Sequence, residues 1–225
     1  MMTTAFPAMT REESVAGIRS IDLARRGRFY AFEGIDGSGK TTISSNVCRL
    51  LSAETSREVI LTAEPTDTWL GDAIRRACAE NLGPFVEALL FVADRCAHTE
   101  NIQKWIDSGK VVLSDRYYAS TLAYQGASLI PLIGERAFDW LRVINEPVIR
   151  KPDLTFFLQI PPEIGIRRLK ERPEKTKFER LEFLREVDRL YKMIAKYDDS
   201  FVLIDATKPI DAIVSEIVRL IKKNL

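Results

Sequence analysis

The amino-acid sequence predicts an α/β domain built on a mostly parallel sheet with helices on both faces. Five short apolar runs have the length of buried strands, and they lie at residues 28–33, 57–62, 110–115, 153–159 and 201–205. Helical patterns separate them, with apolar residues repeating every three or four positions at 41–53, 84–107 and 181–196. Strands that alternate with helices in this way are joined by right-handed crossovers, which makes neighbouring strands parallel.

The strands follow one another from residue 28 to the C-terminus. The first, RFYAFE, runs through a glycine-rich turn into a helix with Ile43, Val47, Leu50 and Leu51 on one face. The runs REVILT, KVVLSD, DLTFFLQ and FVLID supply the other four strands. Ligands of parallel sheets bind at the carboxyl ends of the strands. We therefore expect the functional site near the last residues of these runs, which are Glu33, Thr62, Asp115, Gln159 and Asp205.

The composition of the 225 residues excludes several classes of protein. Lys and Arg number 33 against 32 Asp and Glu, so bulk charge favours neither a nucleic-acid nor a membrane partner. The three cysteines are odd in number and far apart, which argues against a disulfide framework and a zinc site and fits a reducing cytoplasm. With His98 as the single histidine, we expect neither a histidine-based triad nor a multi-histidine metal site. His98 falls within a helix, where we expect a structural or surface role.

The N-terminal residues carry no targeting signal that we recognise. Their sequence lacks the basic-then-apolar order of a secretory signal, and no run approaches the 18 apolar residues that a membrane span needs. Residues 1–27 are predicted to be an extension before the first strand, without an assigned function.

The turn after the first strand is a phosphate-binding loop. It reads GIDGSGKT, fits G-x-x-x-x-G-K-[ST] and opens directly into a helix. Backbone N–H groups of such a loop surround phosphate oxygens, Lys40 reaches the β and γ phosphates, and Thr41 offers a hydroxyl to Mg²⁺. The residues predicted to bind the nucleotide here are Gly34, Ile35, Asp36, Gly37, Ser38, Gly39, Lys40, Thr41 and Thr42.

Asp115 and Arg116 end the third strand. There Asp115 can hold Mg²⁺ through water, and Arg116 can direct its guanidinium at phosphate oxygens. A structural ion pair at a strand end is the alternative for these two residues. Both are predicted to be catalytic together with Lys40, and Asp115 joins Thr41 as a predicted metal ligand.

The chain resembles the thymidylate kinases. No N-K-x-D segment of the GTPases is present, and a basic segment late in a small chain is typical of a kinase that closes a lid over its acceptor. FEGIDGSGKTT, EPTDTWLG, LLFVADR, SDRYYASTLAYQG, the stretch around ERPEKTKFE and VLIDATKPIDAI follow in the family's order and spacing. The resemblance runs from about residue 28 to the C-terminus.

The resemblance implies a P-loop kinase fold: a five-stranded parallel sheet with helices on both faces in one domain, residues 28–225, with a short basic lid at about 167–180. It implies transfer of a phosphoryl group from ATP, with Mg²⁺, to dTMP, giving dTDP for dTTP synthesis. It also implies a cytoplasmic homodimer with no nucleic-acid or membrane partner.

The resemblance further implies which residues hold dTMP. Asp36 holds the 3′-hydroxyl, Phe91 stacks on thymine, Arg95 binds its carbonyl oxygen, and Tyr124 packs on the sugar and selects deoxyribose. Arg116 binds phosphate, and the remaining residues predicted near dTMP are Glu64, Ser120, Thr121 and Gln125. For Gln125 a surface position is the alternative, for Asp36 a solvated turn, and for Phe91 plain core.

Three positions depart from the family pattern. Ala63 stands where many bacterial members have Arg, Gly37 stands where some members have a catalytic Arg, and Lys177 stands where relatives often have Arg. The transition-state cation is therefore predicted to come from the lid, where Pro173 favours mobility. Arg172 is the first candidate and Lys177 the second. Ala206 and Thr207 resemble the loop that passes under adenine.

Two other functions remain open from the sequence. A deoxynucleoside kinase would need a base for the sugar hydroxyl, and Glu64 is the candidate. A regulatory protein that binds ATP without transferring phosphate is the second alternative.

Overall fold

The computed structural model of the protein describes residues 26–170, 178 and 180–225. The predicted extension therefore lies almost entirely outside the described residues, and so does most of the predicted lid. Of the lid, residues 167–170 form the end of a helix, and Phe178 and Arg180 are also described.

Five parallel strands form one sheet, as predicted. They are β1 (Arg28–Glu33), β2 (Val59–Ala63), β3 (Val111–Asp115), β4 (Leu154–Gln159) and β5 (Phe201–Asp205). Their order is β2-β3-β1-β4-β5, and every neighbouring pair is parallel.

Three strands begin one or two residues later than predicted. Polar side chains occupy the positions before them: Lys110 pairs with Glu58 at 2.8 Å, and Asp153 accepts a hydrogen bond from the Phe29 N–H at 2.8 Å. The first contact links the start of β3 to the start of β2, and the second links the start of β4 to the start of β1.

Eight α-helices surround the sheet in the described part of the chain. They are α1 (Lys40–Glu54), α2 (Trp69–Glu80), α3 (Pro84–Asp107), α4 (Tyr118–Ile133), α5 (Arg136–Asn145), α6 (Pro162–Lys170), α7 (Leu181–Tyr197) and α8 (Ile210–Lys222). The three helical segments predicted from periodicity are confirmed as α1, α3 and α7, with ends within one residue. Helices α1 and α8 pack together on one face of the sheet, and α3, α4 and α7 lie on the other. No helix among the described residues is both long and apolar enough to cross a membrane.

Aromatic side chains join β1 and β4 to the helices of the second face. Phe157 stacks on Tyr191 of α7 with ring centroids 5.3 Å apart, and Phe29 meets Tyr117 edge to face at 4.9 Å. All four rings are buried. This packing places Tyr117, the residue before α4, against the start of β1, and α7 against β4.

A buried carboxylate completes that junction. Glu33, the last residue of β1, accepts hydrogen bonds from the Tyr117 N–H at 2.9 Å, the Ser120 N–H at 3.1 Å, the Ser120 hydroxyl at 2.7 Å and the Tyr191 hydroxyl at 2.8 Å. Burial raises the pKa of the Glu33 carboxyl, although these donors oppose the rise. Glu33 thus accepts hydrogen bonds from two amides at the N-terminus of α4, of which the Ser120 N–H also donates to the Tyr117 carbonyl oxygen at 3.1 Å.

We predict that Glu33→Ala lowers the free energy of unfolding by about 3 kcal/mol or more, because several buried donors lose their acceptor. Urea denaturation followed by circular dichroism measures the change. Glu54→Ala is the matched control: Glu54 pairs with Lys222 at 3.0 Å on the surface, and its loss costs about 0.5 kcal/mol or less. Equal stability of the two variants would contradict the role given to Glu33.

Candidate active site

The phosphate-binding loop lies between β1 and α1 against the start of α6. Gly37 has φ +82°, and a Cβ at this position would lie 2.5 Å from the Gly165 carbonyl oxygen. A side chain at residue 37 would therefore require α6 to move. This contact accounts for the glycine at residue 37.

Lys40 is the buried cation at the centre of the loop. Its Nζ donates to the carbonyl oxygens of Gly34 at 2.8 Å and Ile35 at 2.9 Å. Burial and the nearby Arg116 guanidinium lower the pKa of the Lys40 ammonium to about 8. The first amides of α1 face the same loop, since the helix begins at Lys40. The loop thus presents a positive charge and helix amides to one place, as phosphate binding requires.

Thr41 and Asp115 meet at the edge of this loop. The Thr41 hydroxyl donates to Asp115 Oδ2 at 2.6 Å. The other carboxylate oxygen, Oδ1, is buried without a hydrogen-bond partner among the described residues. A hydroxyl and an unpartnered carboxylate oxygen are hard oxygen ligands of the kind Mg²⁺ uses, so these two residues fit the predicted metal.

Asp36 and Arg116 form an ion pair over the loop. Burial alone would raise the pKa of the Asp36 carboxyl, but Arg116 and Lys40 outweigh it and hold the pKa below its usual value. Arg116 has φ +72°, and its guanidinium lies 5.1 Å from the centroid of the Tyr124 ring. The Asp36 N–H donates to the Tyr124 hydroxyl at 2.8 Å. The alternative of a solvated turn for Asp36 is therefore wrong.

Asp115 and Arg116 have separate partners at the end of β3, so the alternative of a structural ion pair stays open for Arg116 alone. Asp115 bonds to Thr41, whereas Arg116 pairs with Asp36 across the loop. Both residues thus face the phosphate-binding loop.

A second group of charges lies at the end of β2. Arg95 of α3 is fully buried, and its Nη2 donates to Glu64 Oε2 at 2.5 Å and to the Thr121 hydroxyl at 3.0 Å. On its other side Nη1 donates to Asn145 Oδ1 at 2.6 Å. Arg95 Nε is buried and has no hydrogen-bond partner among the described residues.

His98 joins the same group one helical turn later. Its Nδ1 lies 3.0 Å from Glu64 Oε1, and its Nε2 lies 2.8 Å from the Thr62 hydroxyl. The residue is 3% exposed, so of the two expected positions of His98 the structure shows the interior one.

The remaining predicted residues of the acceptor site divide into two places. Thr121 contacts Arg95, and Phe91 is half-buried one turn before Arg95, outside the hydrophobic core. The Ser120 hydroxyl donates to Glu33 and accepts a hydrogen bond from Arg116 Nη1 at 3.3 Å, so it links the buried cluster under α4 to Arg116. Gln125 is buried, which contradicts its alternative surface position.

Arg168 of α6 connects the phosphate-binding loop to the turn after β5. Its Nη1 donates to the Gly37 carbonyl at 3.1 Å, and its Nη2 donates to the Ala206 carbonyl at 3.3 Å. In that turn Asp205 Oδ1 accepts the Thr207 N–H at 3.0 Å. The predicted adenine-side residues Ala206 and Thr207 are thereby placed next to the loop.

The two predicted lid cations, Arg172 and Lys177, lie outside the described residues. Their role stays a prediction.

Sequence reasoning missed the hydrogen bonds of Glu33 under α4 and the contacts of Asn145 and His98 with the Arg95 group. Two of these carried a signal. Glu33 is a carboxylate at the end of an apolar strand, and His98 shares a helical face with Phe91 and Arg95 at spacings of three and four residues. Asn145 carried none, because only the fold brings α5 to Arg95.

Comparison with known proteins agrees with the resemblance seen in the sequence. The family model described as thymidylate kinase matches residues 32–217. A probable thymidylate kinase of Methanosarcina barkeri is 38% identical over 203 residues, covering 89% of this chain and 98% of that protein. The thymidylate kinase of Lactobacillus acidophilus is 38% identical over 212 residues, covering 89% and 96%. A probable thymidylate kinase of Methanoculleus marisnigri is 40% identical over 179 residues, covering 79% and 85%.

We predict that Arg95→Met lowers the free energy of unfolding by about 3 kcal/mol, because it leaves the Glu64 charge buried without its cation. Adding Glu64→Gln should recover part of the loss, so the double variant is more stable than the sum of the single changes implies. Chemical denaturation of the three variants measures this coupling. Strictly additive effects would mean that the two side chains do not depend on one another.

Proposed function

The chain belongs to the thymidylate kinase family, and from this premise we propose that it transfers the γ-phosphoryl group of ATP to dTMP, giving ADP and dTDP. The observation that carries this proposal is the meeting of two groups at one edge of the sheet. Lys40, Thr41 and Asp115 form a site for a nucleoside triphosphate, and Arg95 with Phe91 forms a second, separate site suited to a base. Arg116 directly follows β3, and Asp36 lies in the loop after β1. The two side chains form an ion pair at the same edge of the sheet.

The acceptor supplies its own nucleophile. The second pKa of a phosphate monoester is near 6, so the phosphate of dTMP is largely a dianion at neutral pH. The reaction therefore needs no general base. Its phosphate oxygen attacks the γ-phosphorus, the bond to the β-phosphate oxygen breaks, and ADP leaves with that electron pair.

The protein contributes alignment and charge neutralisation. Lys40 and Arg116 place positive charge on the phosphates, and the amides at the start of α1 face the same loop. We propose Thr41 and Asp115 as the residues that hold Mg²⁺, which neutralises phosphate charge when bound. A lid cation, Arg172 or Lys177, is proposed as the last positive group.

The recognition of dTMP is proposed from the resemblance and from the contacts around Arg95. The unpartnered Nε–H of Arg95 supplies a donor for a base carbonyl oxygen, and Phe91 supplies the ring beside it. Tyr124 is held against Asp36 and Arg116, which supports its assignment to the sugar end of the site. Asp36 then binds the 3′-hydroxyl while it remains paired with Arg116.

Glu64 is poorly suited to the base required by a deoxynucleoside kinase. Oε1 already bonds to His98 and Oε2 to Arg95, and the residue is 4% exposed. Both carboxylate oxygens of Glu64 therefore already have partners, which leaves neither free to take a proton from a sugar hydroxyl. A protein that only binds ATP would not need the second group of residues around Arg95.

We propose that the protein acts as a homodimer in the cytoplasm, with one catalytic domain at residues 28–225. The large exposed apolar residues at the start of α3 support a partner surface, and they are Leu82, Phe85, Val86 and Leu89. They follow helical spacing, so Phe85, Val86 and Leu89 share one face. The odd number of widely spaced cysteines supports a reducing compartment.

We predict that the purified protein releases ADP with dTMP and MgATP but not with thymidine and MgATP. Lys40→Ala should lower turnover of dTMP by at least about 10² to 10³-fold, because a cation that stabilises the transferred phosphate is lost, while its circular dichroism stays that of the unmodified protein. A coupled assay for ADP, with chromatography of dTDP, measures both. Turnover of thymidine alone, or full activity of Lys40→Ala, would overturn the proposal.

For the dimer we predict that Leu89→Glu gives a monomer, because a charge is buried in an apolar interface. Light scattering after size-exclusion chromatography measures the mass. Leu203→Glu on the edge strand β5 is the matched control, since Leu203 is equally exposed but lies away from α3, and it should remain dimeric. A dimer with Leu89→Glu would place the interface elsewhere.

A further inference from the structure

His98 is a buried side chain that the proposed mechanism does not use. It lies on α3 and connects the end of β2 to the charged group around Arg95. Its Nε2 is 2.8 Å from the Thr62 hydroxyl and its Nδ1 is 3.0 Å from Glu64 Oε1. Thr62 and Glu64 are two residues apart on the same strand end, so the ring contacts both from one helix.

The partners of His98 determine which nitrogen carries its proton. A carboxylate bonded to Arg95 accepts hydrogen bonds, so Nδ1 donates to Glu64. A second donor is not required at Nε2, since the Thr62 hydroxyl can donate to it. With the proton on Nδ1, the ring satisfies both contacts. In this form the ring fixes one oxygen of Glu64 from the side opposite Arg95.

Glu64 passes this orientation to Arg95. With Oε1 held by His98, the other oxygen, Oε2, bonds to Arg95 Nη2 at 2.5 Å. Thr121 accepts from the same nitrogen, and Asn145 accepts from Nη1 at 2.6 Å. The guanidinium plane is thereby fixed from three sides, and Nε remains as a buried donor without a partner in the described part of the chain.

We propose that His98 is a positioning residue for base recognition: its Nδ1–H fixes Glu64, and Glu64 fixes Arg95 with Nε–H directed to the acceptor base. This rests on the proposed function, in which Arg95 binds a base carbonyl oxygen. Loss of the His98 donor lets the carboxylate turn, and Arg95 then meets the base in more than one orientation. The cost falls on binding of dTMP and leaves the ATP site unchanged.

Two substitutions separate the contribution of Nε2, which contacts Thr62, from that of Nδ1, which contacts Glu64. His98→Gln places an amide toward Thr62 and removes the donor to Glu64, whereas His98→Asn keeps a nitrogen donor near the Nδ1 position and gives up Thr62. We expect His98→Gln to raise KM for dTMP about 10-fold, the effect of one hydrogen bond to a charged group. KM for ATP and kcat should stay within about 2-fold, and His98→Asn should restore KM for dTMP to within about 3-fold.

The combination with Arg95→Lys tests whether His98 acts through Arg95. If it does, His98→Gln adds little to the higher KM for dTMP of Arg95→Lys, because the group being positioned is already changed. Additive effects in the double variant would overturn the proposal. An unchanged KM for dTMP in His98→Gln, or a parallel change in KM for ATP and kcat, would do so as well.

A variant that fails to fold does not leave the matter open. Thr62→Val removes a single hydroxyl and serves as the second variant, with an expected rise of about 3-fold in KM for dTMP and none for ATP. If His98→Gln does not fold, an unchanged KM for dTMP in folded Thr62→Val overturns the proposal. Failure of the proposed function has a different signature, since the unmodified protein would then form no dTDP from dTMP.

Discussion

The site depends on one constraint: three neighbouring parallel strands, β2, β3 and β1, end at the same edge of the sheet, and a carboxylate follows or ends each of them. These carboxylates are Glu64, Asp115 and Glu33. Buried charges of the same sign must be satisfied separately, and each one here has its own partner. Glu64 pairs with Arg95, Asp115 bonds to Thr41, and Glu33 accepts the amides of α4. The three partners give the edge a proposed base end at Arg95, a proposed metal end at Thr41 and a structural anchor at α4.

The cations of the site are balanced in the same way. Burial and the nearby Arg116 guanidinium lower the pKa of Lys40, and Asp36 offsets part of the repulsion between the two cations. This explains a carboxylate inside a phosphate-binding loop, which alone would repel ATP. The Asp36–Arg116 pair keeps both cations at the loop while adding little net positive charge. Phosphate binding then supplies the negative charge that the cluster of Lys40 and Arg116 needs.

Local patterns in the sequence were sufficient to predict the parallel sheet and the phosphate-binding loop. Apolar runs mark β1 to β5, and the spacing from Gly34 to Thr41 defines the loop, because both are set by neighbouring residues. The partners of Arg95 and Ser120 were beyond such patterns. Asn145 lies 50 residues from Arg95, and Ser120 turns to Glu33 because the packing of α4 on β1 directs it there. Long-range packing therefore decided which polar residues contact Arg95 and which contact Glu33.

The central claim is that two nucleotides lie end to end across this edge, with the acceptor base at Arg95 and the phosphates between Lys40 and Arg116. The most direct measurement is a crystal structure of the protein with dTMP and a non-hydrolysable ATP analogue. The account predicts the thymine ring beside Phe91 with a carbonyl oxygen at Arg95 Nε, and the dTMP phosphate at Arg116. A thymine ring bound away from Phe91 and Arg95 would contradict it.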